Sequence, residues 1–291
     1  CGYDVLGVCL EKRGDEIEVH KTISKGIEIE SIESYNISNN IDENVAGIAA
    51  QAMLKNIDID FGFKIIINKG IKPGSGIGSS AASSAGTVYA INQLLNSHFD
   101  NLDLVRFSME GENFVSGSYH ADNVAPIILG GITLVRTISD LDIIKLPSPK
   151  SLEVIIVRPN IEIKTSDSRR VVKKKVKIEK MVQQSANLGA FISSLYSEDF
   201  DLMSRSVVDE VVEPDRSMLI PEFESIKKIS TESGALSCGI SGSGPSIFAL
   251  SNNSETSKII LKNICSHLDR VNIDYDSFIS KVNPKGIKIL D

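Results

Sequence analysis

At 291 residues, 42% of them apolar and 24% charged, the chain has the make-up of an ordinary folded protein, with room for one large domain or two modest ones. A net charge of −7 argues against a general nucleic-acid binder, and no apolar run approaches the ~20 residues of a membrane span, so neither nucleic acid nor membrane is an expected partner. The four cysteines (Cys1, Cys9, Cys238, Cys265) include no C-x-x-C pair and are expected to be reduced thiols of a cytoplasmic chain.

The opening residues are not expected to be a targeting segment. Residues 5–10 read as a strand, and 16–21 alternate like its hairpin partner. Residues 42–54 read as a helix, with Asp42 at its N-cap and Val45, Ile48, Ala49, Ala52 and Met53 on one face. A β-branched apolar run, Phe63 and residues 65–67, reads as a buried strand. It is followed by KPGSGIGSSAASSAG, residues 72–86, and then by apolar residues at helical spacing, Ala81, Ala85, Val88, Ile91 and Leu95. A short helix at 101–109 leads into EGENFVSGSYHADNVAP, residues 110–126. Strands follow at 132–135 and 154–157, separated by the proline-containing stretch 146–150, where a domain boundary is placed to give units 1–148 and 149–291.

The second half begins with a polar loop at 164–168 and a long helical region at 170–195. The lysines of that region, Lys173, Lys174, Lys175, Lys177 and Lys180, read as a solvated face. A helix at 222–232, a strand–turn–strand in ALSCGISGSGPSIFAL, a helix at 257–268 and a strand at 275–282 complete an α+β alternation.

Strand, glycine-rich turn and helix start, in that order, make an anion site. Gly74, Gly76 and Gly78 let the backbone take φ > 0 and approach a ligand. Behind them Ser79 and Ser80 open a helix whose first N–H groups lack internal partners. Phosphate is the natural guest, although a loop that merely packs a helix onto a sheet would look similar. The turn has neither the G-K-[ST] ending nor the G-x-G-x-x-G spacing of the common nucleotide loops.

In residues 110–126, Glu112, His120, Asp122 and Asn123 could touch metal, proton or hydroxyl. No second histidine stands at helical spacing, so a zinc site is a poor fit. His120 alone reads equally as a hydrogen-bonded structural histidine, and Asp122 as either a base or a helix cap. CGISGSGPS, residues 238–246, reads locally as a tight hairpin, and Cys238 has no neighbour that would activate it. Arg169 and Arg216 carry guanidinium forks that match a carboxylate in two parallel hydrogen bonds.

Taken together, Pro73, Gly76, Ile77, Gly78, Ser79, Ser80 and Ala81 resemble the P-x-x-x-G-[IL]-G-S-S-A signature of the GHMP kinases. CGISGSGPS resembles that family's third motif. CGYDVLG, GENxxSGSxHADNVAP, T-S-D-S-R and E-P-D-R-x-x-L-I-P resemble its homoserine-kinase branch. The resemblance implies a two-domain α+β fold with the active site between the domains. It also implies ATP and Mg²⁺ as cofactors, and transfer of the γ-phosphate to the hydroxyl of L-homoserine, a step of threonine biosynthesis. On this reading Pro73, Gly74, Ser75, Gly76, Ile77, Gly78, Ser79, Ser80, Ala81 and Ala82 hold the ATP phosphates, and Gly242, Ser243 and Gly244 approach from the opposite domain. Ser80 and Glu112 hold the metal. Asp4, His120, Asn123, Arg169 and Arg216 surround the substrate, with Asn123 at the reacting hydroxyl. Asn123, Ser80 and Glu112 are thereby the catalytic set.

Glu222 departs from the pattern, standing where glycine is common after L-I-P. A homodimer and a further strand preceding CGYDVLG are additional expectations. Another GHMP small-molecule kinase, such as a mevalonate kinase, or a catalytically silent nucleotide sensor on the same fold, are the alternatives.

Overall fold

The computed structural model describes residues 5–32, 35, 37–161, 163 and 165–290. The first half runs β1 (Leu6–Val8), β2 (Glu16–Thr22), β3 (Gly26–Ile32), α1 (Val45–Leu54), β4 (Gly62–Asn68), α2 (Ser79–Leu94), α3 (Asn101–Ser116), α4 (Val124–Leu129), β5 (Ile132–Thr137) and β6 (Asp142–Leu146). The second runs β7 (Glu153–Pro159), α5 (Thr165–Arg170), α6 (Ile178–Ser197), α7 (Phe200–Ser206), α8 (Glu213–Arg216), α9 (Phe223–Glu232), β8 (Ser237–Ile240), β9 (Ile247–Ser251), α10 (Ser254–Arg270) and β10 (Tyr275–Lys281). Strands and helices mix throughout, giving the two-domain α+β architecture expected.

Among the described residues the strands form three sheets, ordered β1-β5-β6, β2-β4-β3 and β10-β7-β9-β8. The expected hairpin between 5–10 and 16–21 does not form. β1 pairs with β5, whereas β2 pairs antiparallel with β4, matching Ile17 to Ile67 and Val19 to Ile65. The alternating apolar residues of β2 are satisfied there, because α2 lies on the same face: a Cβ on Gly86 would come within 2.8 Å of Ile17. Beyond β1 the chain bridges two sheets, with Cys9 N–H donating to Gly131 O at 2.9 Å and Glu11 N–H to Lys281 O at 3.0 Å.

Around α1, α2, α3 and β4 lies a core that includes Met53, Phe63, Ile65, Val88, Ile91 and Leu104. A second core joins β7, β9, α9 and α10 through Ile155, Phe223, Ile226, Ile247 and Ile260. A third, with Ile132, Leu146, Val154, Leu195 and Met203, lies where β5 and β6 meet β7.

Several boundaries differ from the sequence reading, each for a local reason. Asn44 caps α1, accepting from Ala46 N–H, while Asp42 sits in a 3₁₀ turn one step earlier. α3 runs on past Met109 to Ser116, through Gly111. That glycine does not break the helix. A Cβ there would lie 2.2 Å from Ser84 Oγ and 2.8 Å from Val45 O, so its absence lets three helices close up. Residues 165–170 are the helix α5 and not a loop, and the expected long helix is interrupted at 171–177. Lys173, Lys174, Lys175 and Lys177 stand on that interruption, exposed as expected but not on a helix face; of the five, Lys180 alone is helical. Glu222 adopts φ +59°, left-handed backbone in which glycine is at ease, which explains the glycine common there.

Candidate active site

Residues 69–78 connect β4 to α2, and Gly74, Gly76 and Gly78 all have positive φ (69°, 79° and 77°). Pro73 and Gly74 are exposed, whereas Ser75 is buried, with no hydrogen-bond partner for its hydroxyl among the described residues. Gly76, Ile77 and Gly78 are half-buried. Gly78 occupies the N-cap of α2, leaving no side chain between the first amides of the helix and a ligand. Of the residues that follow, Ser79 turns inward and donates its hydroxyl to Ile71 O at 2.8 Å. Ala81 lies in the core, Ala82 N–H bonds Gly78 O within the helix, and Ser80 is half-buried.

The extension of α3 carries Glu112 into the interior, where only 4% of it is exposed and its Oε1 has no hydrogen-bond partner among the described residues. Burial raises its pKa, and the Ser80 hydroxyl and the charge of His120 pull the other way. A buried carboxylate oxygen without a partner, beside a serine hydroxyl at a helix start, is an oxygen donor set suited to a hard divalent cation. Among the described residues no group of three or more His, Cys, Asp or Glu forms a protein cage for a metal. A cation here would therefore rely on one carboxylate, one hydroxyl and its phosphate ligand, as Mg²⁺ commonly does.

His120 Nδ1 lies 3.3 Å from Asp122 Oδ1 and 3.8 Å from Glu112 Oε2, and its Nε2 is 3.0 Å from Ser116 Oγ. Burial alone would depress the imidazole pKa, but Asp122 and Glu112 outweigh it and the net shift is upward. Asp122 does not cap α4, since the residue at that N-cap is Asn123 and no side-chain cap bond is made. Asp122 instead faces His120, and its Oδ2 accepts from Asn123 Nδ2 at 3.3 Å. Gly7 makes room for this segment: a Cβ there would strike Asp122 O at 1.8 Å. Asn123 rests over the end of the glycine loop, its Oδ1 3.5 Å from where a Gly78 Cβ would be.

The third glycine stretch closes on the first. Ser246 donates its hydroxyl to Ser75 O at 2.6 Å, and Ser241 donates to Gly76 O at 2.9 Å. A Cβ on Gly76 would be 2.6 Å from Gly244 O. Gly242 and Gly244 have positive φ, and Ser243 O accepts from the hydroxyl of Ser168 at 2.8 Å. Arg216 is buried and donates from Nη1 to Gly242 O at 2.8 Å, so at least one arm of its fork braces this loop. Arg169 donates from Nη1 to Ser116 O, on the turn that leads to His120. Asp4 lies outside the described residues. A cavity of about 1620 Å³ takes in Gly78, Asp122, Asn123, Arg216 and Gly242 along its wall. Burial pushes the Cys238 thiol up to about 12, which removes it as a nucleophile.

Sequence reasoning missed Asp15 and Lys69. Lys69 is buried under the glycine loop, paired with Asp15 and donating to Ser79 O at 2.7 Å. The only signal in the sequence was a lysine ending an apolar strand, which ordinarily marks a strand end at the surface.

Comparison with known proteins agrees with this geometry. The model of the GHMP kinases N terminal domain matches residues 44–131, and that of the GHMP kinases C terminal domain matches residues 191–270. The chain is 35% identical over 305 residues to a homoserine kinase of Chlorobium phaeobacteroides (strain BS1), covering 100% of this chain and 95% of that one. It is 40% identical over 252 residues to a homoserine kinase of Methanococcus maripaludis (strain C5 / ATCC BAA-1333), covering 86% of this chain and 82% of that one. The crystal structure of homoserine kinase from Cytophaga hutchinsonii ATCC 33406 superposes with a TM-score of 0.95 at 41% identity, covering 100% of this chain and 93% of that one. Two glycine loops in contact, a buried carboxylate facing the first of them, and these likenesses lead to one conclusion: the chain belongs to the GHMP kinases, and among them to the homoserine kinases.

Proposed function

We propose that the chain transfers the γ-phosphoryl group of ATP to the hydroxyl of L-homoserine, giving O-phospho-L-homoserine and ADP, in the cytoplasm. The observation that carries this reading is the buried Oε1 of Glu112, without a hydrogen-bond partner among the described residues, beside the start of α2, with His120, Asp122 and Asn123 gathered at the same end of the glycine loop. Phosphoryl transfer asks little covalent chemistry of a protein; it needs positioning and charge stabilisation.

In this reading the amides of residues 74–80 cradle the triphosphate. Gly242, Ser243 and Gly244 lean in from the second domain and hold the loop in shape. Ser80 and Glu112 would hold Mg²⁺, which when bound neutralises charge on the phosphate oxygens. Asn123 orients the acceptor hydroxyl, and His120, its pKa raised by Asp122 and Glu112 against the opposing effect of burial, stands beside it. The bond from the acceptor oxygen to Pγ forms as the bond to the β-phosphate oxygen breaks, and the hydroxyl proton passes to a transferred phosphoryl oxygen. Arg169 and Arg216, whose guanidinium forks match a carboxylate, are placed in this reading at the substrate carboxylate. Asp4 takes the ammonium. The division into 1–148 and 149–291 belongs to the same reading and is supported by the separate cores about α2 and about β9.

The test is a coupled ADP-release assay across homoserine, mevalonate, galactose and shikimate. Turnover with homoserine, well above the other three, is the expected result. Faster turnover with mevalonate would overturn the substrate assignment, and ADP release with none of the four would overturn the activity.

A further inference from the structure

Resting on the reading of residues 74–80 as the nucleotide loop, we infer that Asp15, Lys69 and Ser83 are positioning residues for it: one buried ion pair that ties both ends of the loop to the helix beneath. The loop leaves β4 at Lys69 and enters α2 at Ser79. The Lys69 ammonium pairs with Asp15 and donates to Ser79 O at 2.7 Å and Ser83 Oγ at 3.0 Å, so it grips the first turn of α2 directly. Asp15 takes the other end. Its Oδ1 accepts from Gly70 N–H at 3.1 Å and Ile71 N–H at 3.2 Å, and its Oδ2 accepts from the Ser83 hydroxyl at 2.7 Å. Ser79 closes the ring by donating to Ile71 O.

Both charged side chains are almost fully shielded from water, at 3% exposure for Lys69 and 0% for Asp15. Removing two charges from water is costly, and an apolar pair would often serve stability as well or better. What an apolar pair cannot supply is direction. Six hydrogen bonds from one ion pair and two serines fix residues 69–71 against Ser79 and Ser83. Between these feet the arc is held at Ser75 and Gly76 by the second glycine stretch, but three of its residues are glycine, so its shape also depends on how the feet are fixed. A loop pinned at both feet presents its amides in one arrangement before the nucleotide arrives, which lowers the ordering cost of binding and keeps the γ-phosphoryl in line.

The experiment compares the wild-type chain with Ser83→Ala, which removes one strut without stranding a charge, and with the paired variant Asp15→Asn/Lys69→Gln, which neutralises both partners together. The readouts are kcat, KM for ATP and KM for the hydroxyl acceptor by ADP release, the Kd of a fluorescent ATP analogue, and Tm. For the paired variant the expected result is a KM for ATP raised by roughly tenfold or more and a kcat lowered to a similar degree, since a displacement of about 1 Å can cost ~10²-fold. The acceptor KM should stay within about twofold, and Ser83→Ala should shift the same parameters less. A lower Tm with unchanged KM for ATP and unchanged analogue affinity would show the network to be structural only and overturn the inference. Should the paired variant not fold, the same two outcomes are read from Ser83→Ala alone. If the wild-type chain itself bound no ATP, the nucleotide-loop reading would fail first; wild-type binding with unaltered variants defeats the positioning role alone.

Discussion

Ser246 donates its hydroxyl to the carbonyl of Ser75 at 2.6 Å, joining two glycine-rich loops that lie 171 positions apart in the sequence. Next to that bond the backbone of Gly76 touches the backbone of Gly244 with no space for a methyl group. The site is therefore a contact between two loops, each of which presents backbone to the other.

That contact makes Gly76→Ala a severe change. Alanine at φ +79° carries left-handed strain of about 1–2 kcal/mol, and its Cβ would stand 2.6 Å from Gly244 O, which is main chain and cannot swing aside. The two loops must part. KM for ATP should rise by more than ~10-fold, because the phosphate-facing amides lose their arrangement. Steady-state kinetics checks this, and a variant with wild-type KM would show that the loops tolerate separation.

Glu112→Gln separates activity from stability. The folded-state pKa of Glu112 lies above its unfolded value of 4.5, chiefly through burial. The sign follows: the fold favours the protonated acid, so stability is lost as pH rises from the unfolded pKa through the folded one, and the penalty is fully present once both are passed. Glutamine removes that penalty. At neutral pH the variant should therefore melt no lower than wild type while losing most turnover, by ~10²-fold or more if the cation site depends on this carboxylate. Thermal melts and saturating-Mg²⁺ kinetics on the same preparation decide it; near-wild-type turnover would sink the metal assignment.

His120 provides a pH signature. Its folded-state pKa is raised above the ordinary 6.5, burial being outweighed by Asp122 and Glu112. A histidine shifted this way contributes stability that is whole below its unfolded pKa and is lost as pH rises through the folded one. The melting-temperature difference between wild type and His120→Gln should be largest below about pH 6.5 and shrink above it. A difference independent of pH from 5 to 9 would mean that the imidazole does not interact with its two carboxylates.

Asp122→Asn addresses the base. Asp122 is already engaged by His120 at 3.3 Å and by Asn123 Nδ2 at 3.3 Å, which suits a positioning role better than proton abstraction. A positioned general base is worth ~10²–10⁴ in rate. Asparagine at 122 is expected to cost less than the upper part of that range. A loss of ~10³ or more in kcat with an unchanged Tm would identify Asp122 as the base.

What the sequence determined by itself was local in kind. Gly74, Gly76 and Gly78 announced positive backbone φ, and all three have it. Long apolar-periodic segments became helices, since 3.6-residue spacing is a property of neighbours along the chain. Tertiary structure decided what neighbours cannot. The helix read at 101–109 continues to Ser116, because three helices press so closely on Gly111 that only glycine fits, and the continued helix is what buries Glu112. Residues 16–21 alternated correctly, but their partner was β4, because register and pairing depend on which apolar face is left to cover. The Asp15–Lys69 pair lay in two unremarkable stretches 54 positions apart. A charge is informative in sequence only if its partner is nearby, and here the fold supplies both the partner and the burial that makes the pair matter.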